Sequence, residues 1–376
     1  DRNVTSYPAR DLIFYQADVH GNQLVTERIK CLKRMLEGKP VTVITTFSAL
    51  MAPQIPLSVW KENLLTINGK SRLDEKELAM RLVEMGYVKN YQVEAPGQFS
   101  IRGGIVDIFD LTQENPYRIE LWGDEVDSIR SFDAESQRSI ERLPSVRLYP
   151  ARELVIPQES LEAGLLKMEK ERKASAGALR EAGRIEEAHR LDAAVKELAE
   201  ELREGWFPGA LESCIRYFCQ ETVSFADYFG EDSPVFLDEP ARILEKAEVL
   251  EAEFRDSMQN RLAKGYLLPG QTDILYSAGR TAAVLSGKRS VLFSALEQKA
   301  FPVKKRYSMT VKNGNSYKNG FELLVGDLKK WKKEKWRVAL LCGSRTRGAR
   351  LAKDLREQYG LLANYTEDEG KEILPG

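Results

Sequence analysis

The chain has 376 residues, 43% of them hydrophobic and 30% charged, which at roughly 150 residues per domain points to about two or three folded domains and excludes a disordered chain or a lone small module. Its 56 Lys and Arg against 57 Asp and Glu leave a formal net charge of -1, so any nucleic-acid contact falls to a local patch rather than to a globally basic surface. Four scattered cysteines without a CxxC pair, and two histidines, His20 and His189, with no histidine or cysteine at ligand spacing, argue against a disulfide frame, a zinc site and a histidine-based triad.

No apolar run approaches the ~20 residues that span a bilayer, and the polar start Asp1-Arg2-Asn3 has no signal-peptide core. The expectation is a cytoplasmic protein with reduced thiols and no membrane partner. A start without Met and an abrupt stop at Pro375-Gly376 suggest a piece of a longer chain.

In chain order, Ile29, Leu32 and Met35/Leu36 predict a helix over Glu27 to Leu36 stopped by Gly38, and the β-branched run Val41 to Thr45 predicts a strand. Helix, stop and strand in that order suit a parallel sheet. Thr46 and Ser48 stand where the strand turns into a short helix, as caps or, less commonly, as phosphate contacts. From Leu64 to Pro150 the texture changes to an inserted α+β domain. It opens with a helix over Asp74 to Met85, stopped by Gly86, and continues with strands over Phe99 to Arg102, Ile105 to Phe109 and Arg118 to Trp122, divided by Gly103-Gly104, Asn115-Pro116 and Gly123-Asp124. Alternation puts Ile119 and Leu121 on one face of the last strand and Arg118, Glu120 and Trp122 on the other.

Ser160 to Glu204 predicts two helices interrupted at Gly177 and Gly183. Val235 to Glu239 and Val291 to Phe293 read as buried parallel strands, the first followed by a helix through Ile243 to Met258. A last α/β unit is expected from a helix over Leu323 to Trp336, a strand over Val338 to Cys342 and a helix over Thr346 to Tyr359.

Val235 to Glu239 has the form of a Walker B strand, in which Asp238 holds magnesium and Glu239 activates water. No GxxxxGK[ST] phosphate loop occurs in these residues. Ser286-Gly287-Lys288 lacks the upstream glycine and reads as a turn, leaving Asp238 and Glu239 as a degenerate pair. The basic aromatic stretch Lys329 to Arg337, with Trp331 and Trp336, is either a nucleic-acid contact or a solvated helix face anchored by its tryptophans, the second being the commoner case. Gly343-Ser344-Arg345 is an anion-binding turn or an ordinary strand-to-helix junction.

The run Gly97-Gln98-Phe99-Ser100-Ile101-Arg102-Gly103-Gly104-Ile105-Val106-Asp107-Ile108-Phe109, with Arg118 to Arg130 and Phe132 to Ser139, closely resembles the domain shared by UvrB and the transcription-repair coupling factor (Mfd) family. Tyr7 to Asp11 and Val41 to Leu50 resemble the late part of that family's first domain, and Val235 to Pro240 and Leu262 to Pro269 its returning half. The absence of a DNA-inserting tyrosine-rich hairpin, and Pro240 after the Asp-Glu pair, favour the coupling factors over UvrB. The fold class implied is α/β: a degenerate helicase-like parallel-sheet domain with an inserted α+β domain, followed by a small α/β domain. The corresponding division is 1–63 and 151–303 for the UvrB-like α/β domain, 64–150 for the inserted UvrA-binding domain and 304–376 for a truncated third domain.

The resemblance further implies an N-terminal, non-catalytic module that recruits UvrA in nucleotide excision repair at stalled RNA polymerase, with Arg102, Arg118 and Trp122 as the contact residues. The competing arrangement pairs Arg118 with Glu120 and packs Trp122 under a loop. No metal or cofactor is expected in this piece; ATP and magnesium belong to the motor of an ATP-dependent translocase elsewhere in the parent protein. Other implied partners are DNA, weakly, RNA polymerase through other domains, and the C-terminal domain of the same protein. The alternative is a UvrB-like ATP-dependent excision-repair subunit.

Overall fold

The computed structural model describes residues 3–10, 21–205, 209–310, 315–317, 320–363 and 365. His20, Asp11 and the Pro375-Gly376 stop lie outside the described residues. The architecture is mixed α/β, with eleven α-helices and several small sheets among the described residues. The chain divides into two compact units, Asp1–Pro302 and Val303–Gly376.

In the first unit, apolar residues at helical spacing form the helix Gly21–Leu36, which buries Ile29 and Leu32. The strand Val4–Tyr7 pairs in parallel with Thr42–Thr45. Thr46 caps the short helix Phe47–Met51 by accepting from the Ala49 amide. Long helices Gln158–Glu181 and Ile185–Arg203 follow. They break only around Gly183, whose positive φ of 76° suits a residue without a Cβ; Gly177, expected as a second interruption, lies inside the first helix and has open space around it.

Val235–Asp238 pairs in parallel with Ser290–Phe293, but the expectation that both are buried strands is corrected. Phe236, Val291 and Phe293 are exposed, the two Phe rings stacked at 6.3 Å. A four-residue apolar run does not reveal whether one face or both are covered. Parallel pairing occurs in these two-stranded pairs and at the short edge Val88–Lys89, so among the described residues there is no continuous parallel sheet of the helicase-like kind.

Within the same unit, residues 65–154 build their own core. Six strands are ordered Ser139–Arg142, Glu125–Phe132, Tyr117–Trp122, Ile105–Ile108, Gln98–Arg102 and Val88–Lys89, all antiparallel except the last pair. The helix Glu75–Glu84, capped by the Asp74 carboxylate on the Lys76 and Glu77 amides, lays Leu78 and Leu82 in one cluster with Phe99, Val106 and Ile119. Because side chains alternate along each strand, covering that face sends Ser100, Arg102, Asp107, Arg118, Glu120 and Trp122 to the other.

In the second unit, Leu324, Val325 and Leu328 of the helix Phe321–Lys333 cluster with Leu355 of the helix Arg345–Tyr359 and with Leu361. Trp331 packs on this cluster, whereas Trp336 is exposed and donates through Nε1 to Glu334, so only one of the two tryptophans anchors the basic stretch. Val338 to Cys342, expected as a strand, has no strand pairing. An extended segment becomes a strand only where a neighbour takes its ladder bonds, and among the described residues none does.

Candidate functional site

The hairpin turn Gly103-Gly104 fixes the register of this second face, on which Ser100, Asp107 and Ser128 are buried and Arg118 is 17% exposed. Both glycines have positive φ, 54° and 82°, as a two-residue turn matching the strand twist requires. The turn sets Arg102 opposite Ile105 and Ser100 opposite Asp107. The next hairpin sets Asp107 opposite Arg118, and the one after it Arg118 opposite Arg130.

Asp107 is wholly buried, yet its carboxylate is fully engaged. Oδ1 accepts from Arg118 Nε at 2.7 Å and Oδ2 from Arg118 Nη2 at 2.9 Å, while Arg102 Nη2 reaches Oδ2 at 3.2 Å. The Arg118 guanidinium lies 4.3 Å from the Phe132 ring centroid and gives a further bond of 3.0 Å to Gln137 Oε1. Its pKa is raised, chiefly by the hydrogen bonds to Asp107. Gln137 stands in a left-handed conformation, φ 59°, in a loop closed by Asp133, which accepts from the Ser136 amide and hydroxyl. That loop presents the Gln137 amide to the arginine.

Glu120, on the same face, accepts from Ser128 Oγ at 2.6 Å and pairs with Arg130. Arg118 therefore pairs with Asp107 and not with Glu120. Trp122, at 83% exposure, packs under nothing. At the edge of the sheet, Tyr91 is 81% exposed, and the Arg102 guanidinium lies 5.5 Å from its ring centroid. Arg102 and Arg118 thus meet on one carboxylate, and Trp122 stands on the same face, four residues beyond Arg118 along its strand.

Asp107, Gln137 and Tyr91 escaped the sequence reading. Asp107 was within reach of it, since a two-residue glycine turn after Arg102 sets Asp107 across from Ser100 on the arginine face. Gln137 depends on a loop conformation and Tyr91 on an edge contact, and neither has periodicity to betray it.

The degenerate Walker B-like pair has a different setting. Asp238 ends its strand exposed, while Glu239, with φ 54°, precedes the helix Pro240–Ala263. The Glu239 amide donates to Phe293 O, and its Oε1 accepts from the Ala295 amide, both at 2.8 Å. The carboxylate that would activate water in an intact Walker B strand here ties down the loop after the neighbouring strand. Gly287 closes the helix Ala278–Ser286, and Lys288 Nζ bonds Phe229 O, so Ser286-Gly287-Lys288 is a helix-ending turn. Ser344 caps the helix Arg345–Tyr359 through the Arg347 amide. Among the described residues no group of three or more His, Cys, Asp or Glu could hold a metal ion, and no helix is long and apolar enough to cross a membrane.

Residues 65–154 match the UvrB interaction domain family. The whole chain is 33% identical over 380 residues to the transcription-repair-coupling factor of Bacillus subtilis, of which it covers 32%. It is 27% identical over 362 residues to that of Staphylococcus haemolyticus and 28% identical over 359 to that of Staphylococcus aureus, covering 30% of each and using 95% and 94% of this chain respectively. The chain therefore spans about a third of the length of the curated relatives it matches. The arginine and tryptophan face lies inside the matched stretch, and the resemblance first carried by residues 97–139 holds along the chain: this is a protein similar throughout to part of the transcription-repair-coupling factors, whose residues 65–154 match the UvrB interaction domain family.

Proposed function

We propose that this chain is the module of a transcription-repair coupling factor that recruits UvrA to damage at stalled RNA polymerase, and that it does so through Arg102, Arg118 and Trp122. The observation that carries the reading is Trp122, 83% exposed on the same sheet face as two arginines anchored on a buried carboxylate. An uncovered indole next to oriented guanidiniums is the composition of an interface hot spot. Each guanidinium gives charge-assisted bonds to a partner carboxylate.

In the parent protein, ATP and magnesium serve a translocase motor outside these residues, RNA polymerase and the C-terminal domain are further partners, and DNA binds this module weakly. The compartment is the bacterial cytoplasm. The two parallel strand pairs, with Asp238 and Glu239, belong to a degenerate helicase-like domain formed by 1–63 and 151–303, into which 64–150 is inserted and which 304–376 follows. A UvrB-like ATP-dependent subunit is the weaker reading, because the full-length relatives are coupling factors and the 376 residues contain no phosphate loop.

The test is capture of purified UvrA by the immobilised chain and by Arg102→Glu and Trp122→Ala variants, each checked by thermal melting. Retention by the parent sequence and loss by both folded variants is the expected result; equal retention by all three contradicts the reading.

A further inference from the structure

The arginine and tryptophan face holds one feature that contact residues alone do not explain, a carboxylate with no exposure set between two arginines on a surface otherwise suited to meeting a partner. Burying a charge is costly unless it is paired and hydrogen-bonded, and among the described residues Asp107 meets that condition through Arg118 and Arg102 alone. We infer that Asp107 is the positioning residue of this surface and that Tyr91 is its second aromatic contact, so that the face receives an acidic segment of the partner between two exposed rings. This rests on reading the face as the UvrA surface.

The hydrogen-bond inventory supports the assignment. Arg118 turns its Nε and Nη2 edge to Asp107 and Gln137, which leaves Nη1 without a hydrogen-bond partner among the described residues. Arg102 touches Asp107 through Nη2 alone and keeps Nε and Nη1 in the same condition. Of the other carboxylates of the face, Glu120 is taken by Ser128 and Arg130, and Glu125, opposite Trp122, pairs with Arg72. What the face offers outward is therefore donors on guanidiniums already held in place, which suits carboxylates and avoids the ordering cost of two long side chains on binding. Tyr91, against the Arg102 guanidinium, and Trp122, on the same face of the sheet, are exposed rings of the kind that anchors interfaces at low entropic cost.

The sign of one substitution separates positioning from simple attraction. Asp107→Asn keeps the shape and removes a negative charge, so long-range attraction alone makes an acidic partner bind more tightly. Loss of positioning makes it bind about tenfold more weakly. We would titrate purified UvrA into the parent chain and into the Asp107→Asn, Tyr91→Ala and Trp122→Ala variants by calorimetry, with a thermal melt of each. The inference expects folded Asp107→Asn and Tyr91→Ala each to lose about tenfold; unchanged or tighter binding by folded Asp107→Asn overturns the positioning role, and full binding by Tyr91→Ala overturns the second contact.

Full binding by Trp122→Ala instead overturns the reading of the face itself, so the two failures are distinguishable. If Asp107→Asn melts below the assay temperature, the double change Asp107→Asn with Arg118→Gln also removes the unbalanced guanidinium, and the readout becomes the cost of Arg102→Ala on that background. Positioning predicts a cost below about twofold there, against about tenfold in the parent chain; a full cost overturns it.

Discussion

Arg28 and Glu153, 125 residues apart in sequence, meet in the protein interior with Arg28 Nε 2.8 Å from Oε1 and 2.9 Å from Oε2. Tyr7 lies beside the pair: its hydroxyl accepts from Arg28 Nη2 at 2.6 Å and donates to Glu153 Oε1 at 3.1 Å. Arg10 also pairs with Glu153, and the Glu153 carbonyl accepts from Trp60 Nε1 at 3.0 Å. Glu153 stands at the end of the stretch matching the UvrB interaction domain, so this buried network ties the exit of that domain to the first strand and the first helix.

Glu153→Ala removes the carboxylate that buried Arg28 shares with Arg10, which also pairs with Glu212. Removing one partner of a buried ion pair costs about 3–5 kcal/mol, so the denaturant midpoint should fall well below that of the parent chain in a urea titration followed by circular dichroism. Glu153→Gln, which keeps the hydrogen-bond acceptor, should lose less. An unchanged midpoint for Glu153→Ala contradicts the structural role of the network.

The setting of Asp238 and Glu239 predicts that the chain does not hydrolyse ATP, with or without DNA. The Glu239 carboxylate is bonded to the Ala295 amide, and Lys288 is bonded to the Phe229 carbonyl, so neither is poised as the phosphate chemistry requires. Phosphate release is the measurement. Turnover above background that disappears in Asp238→Ala would show that a working site exists.

Thiol chemistry should be strongly selective. Burial pushes the thiols of Cys31 and Cys214 up to about 12 and that of Cys219 to about 11, whereas Cys342 is exposed. Since the thiolate is the reactive form, an aromatic disulfide reagent at pH 8 should label Cys342 rapidly and leave Cys31 and Cys214 intact until denaturant is added. Cys342→Ser should abolish the rapid phase. Rapid labelling of Cys31 in the folded protein contradicts the packing around the first helix.

The site was legible wherever local pattern decides it. Alternation alone put Arg118 and Trp122 on one strand face, and the glycine stops near residues 86 and 183 emerged as helix ends because positive φ is cheap only for glycine. The partner of Arg118 was not legible from its own strand, because the neighbour across a sheet depends on register, and register on the turn at Gly103-Gly104. Burial of Val235–Asp238 was overestimated because what covers a sheet face is a tertiary matter. Val338 to Cys342 has the composition of a strand but lacks the neighbour that makes one.

The most direct test of the account is a calorimetric titration of purified UvrA into this chain and into the variant carrying Arg102→Ala, Arg118→Ala and Trp122→Ala together, with hydrogen exchange of residues 65–154 to verify the fold. Truncating an interface Arg or Trp commonly costs ~2 kcal/mol or more, and hot-spot losses are not additive. The account predicts measurable binding by the parent chain and a loss of at least about a hundredfold in the folded triple variant. Binding by the folded triple variant with the parent affinity would contradict it.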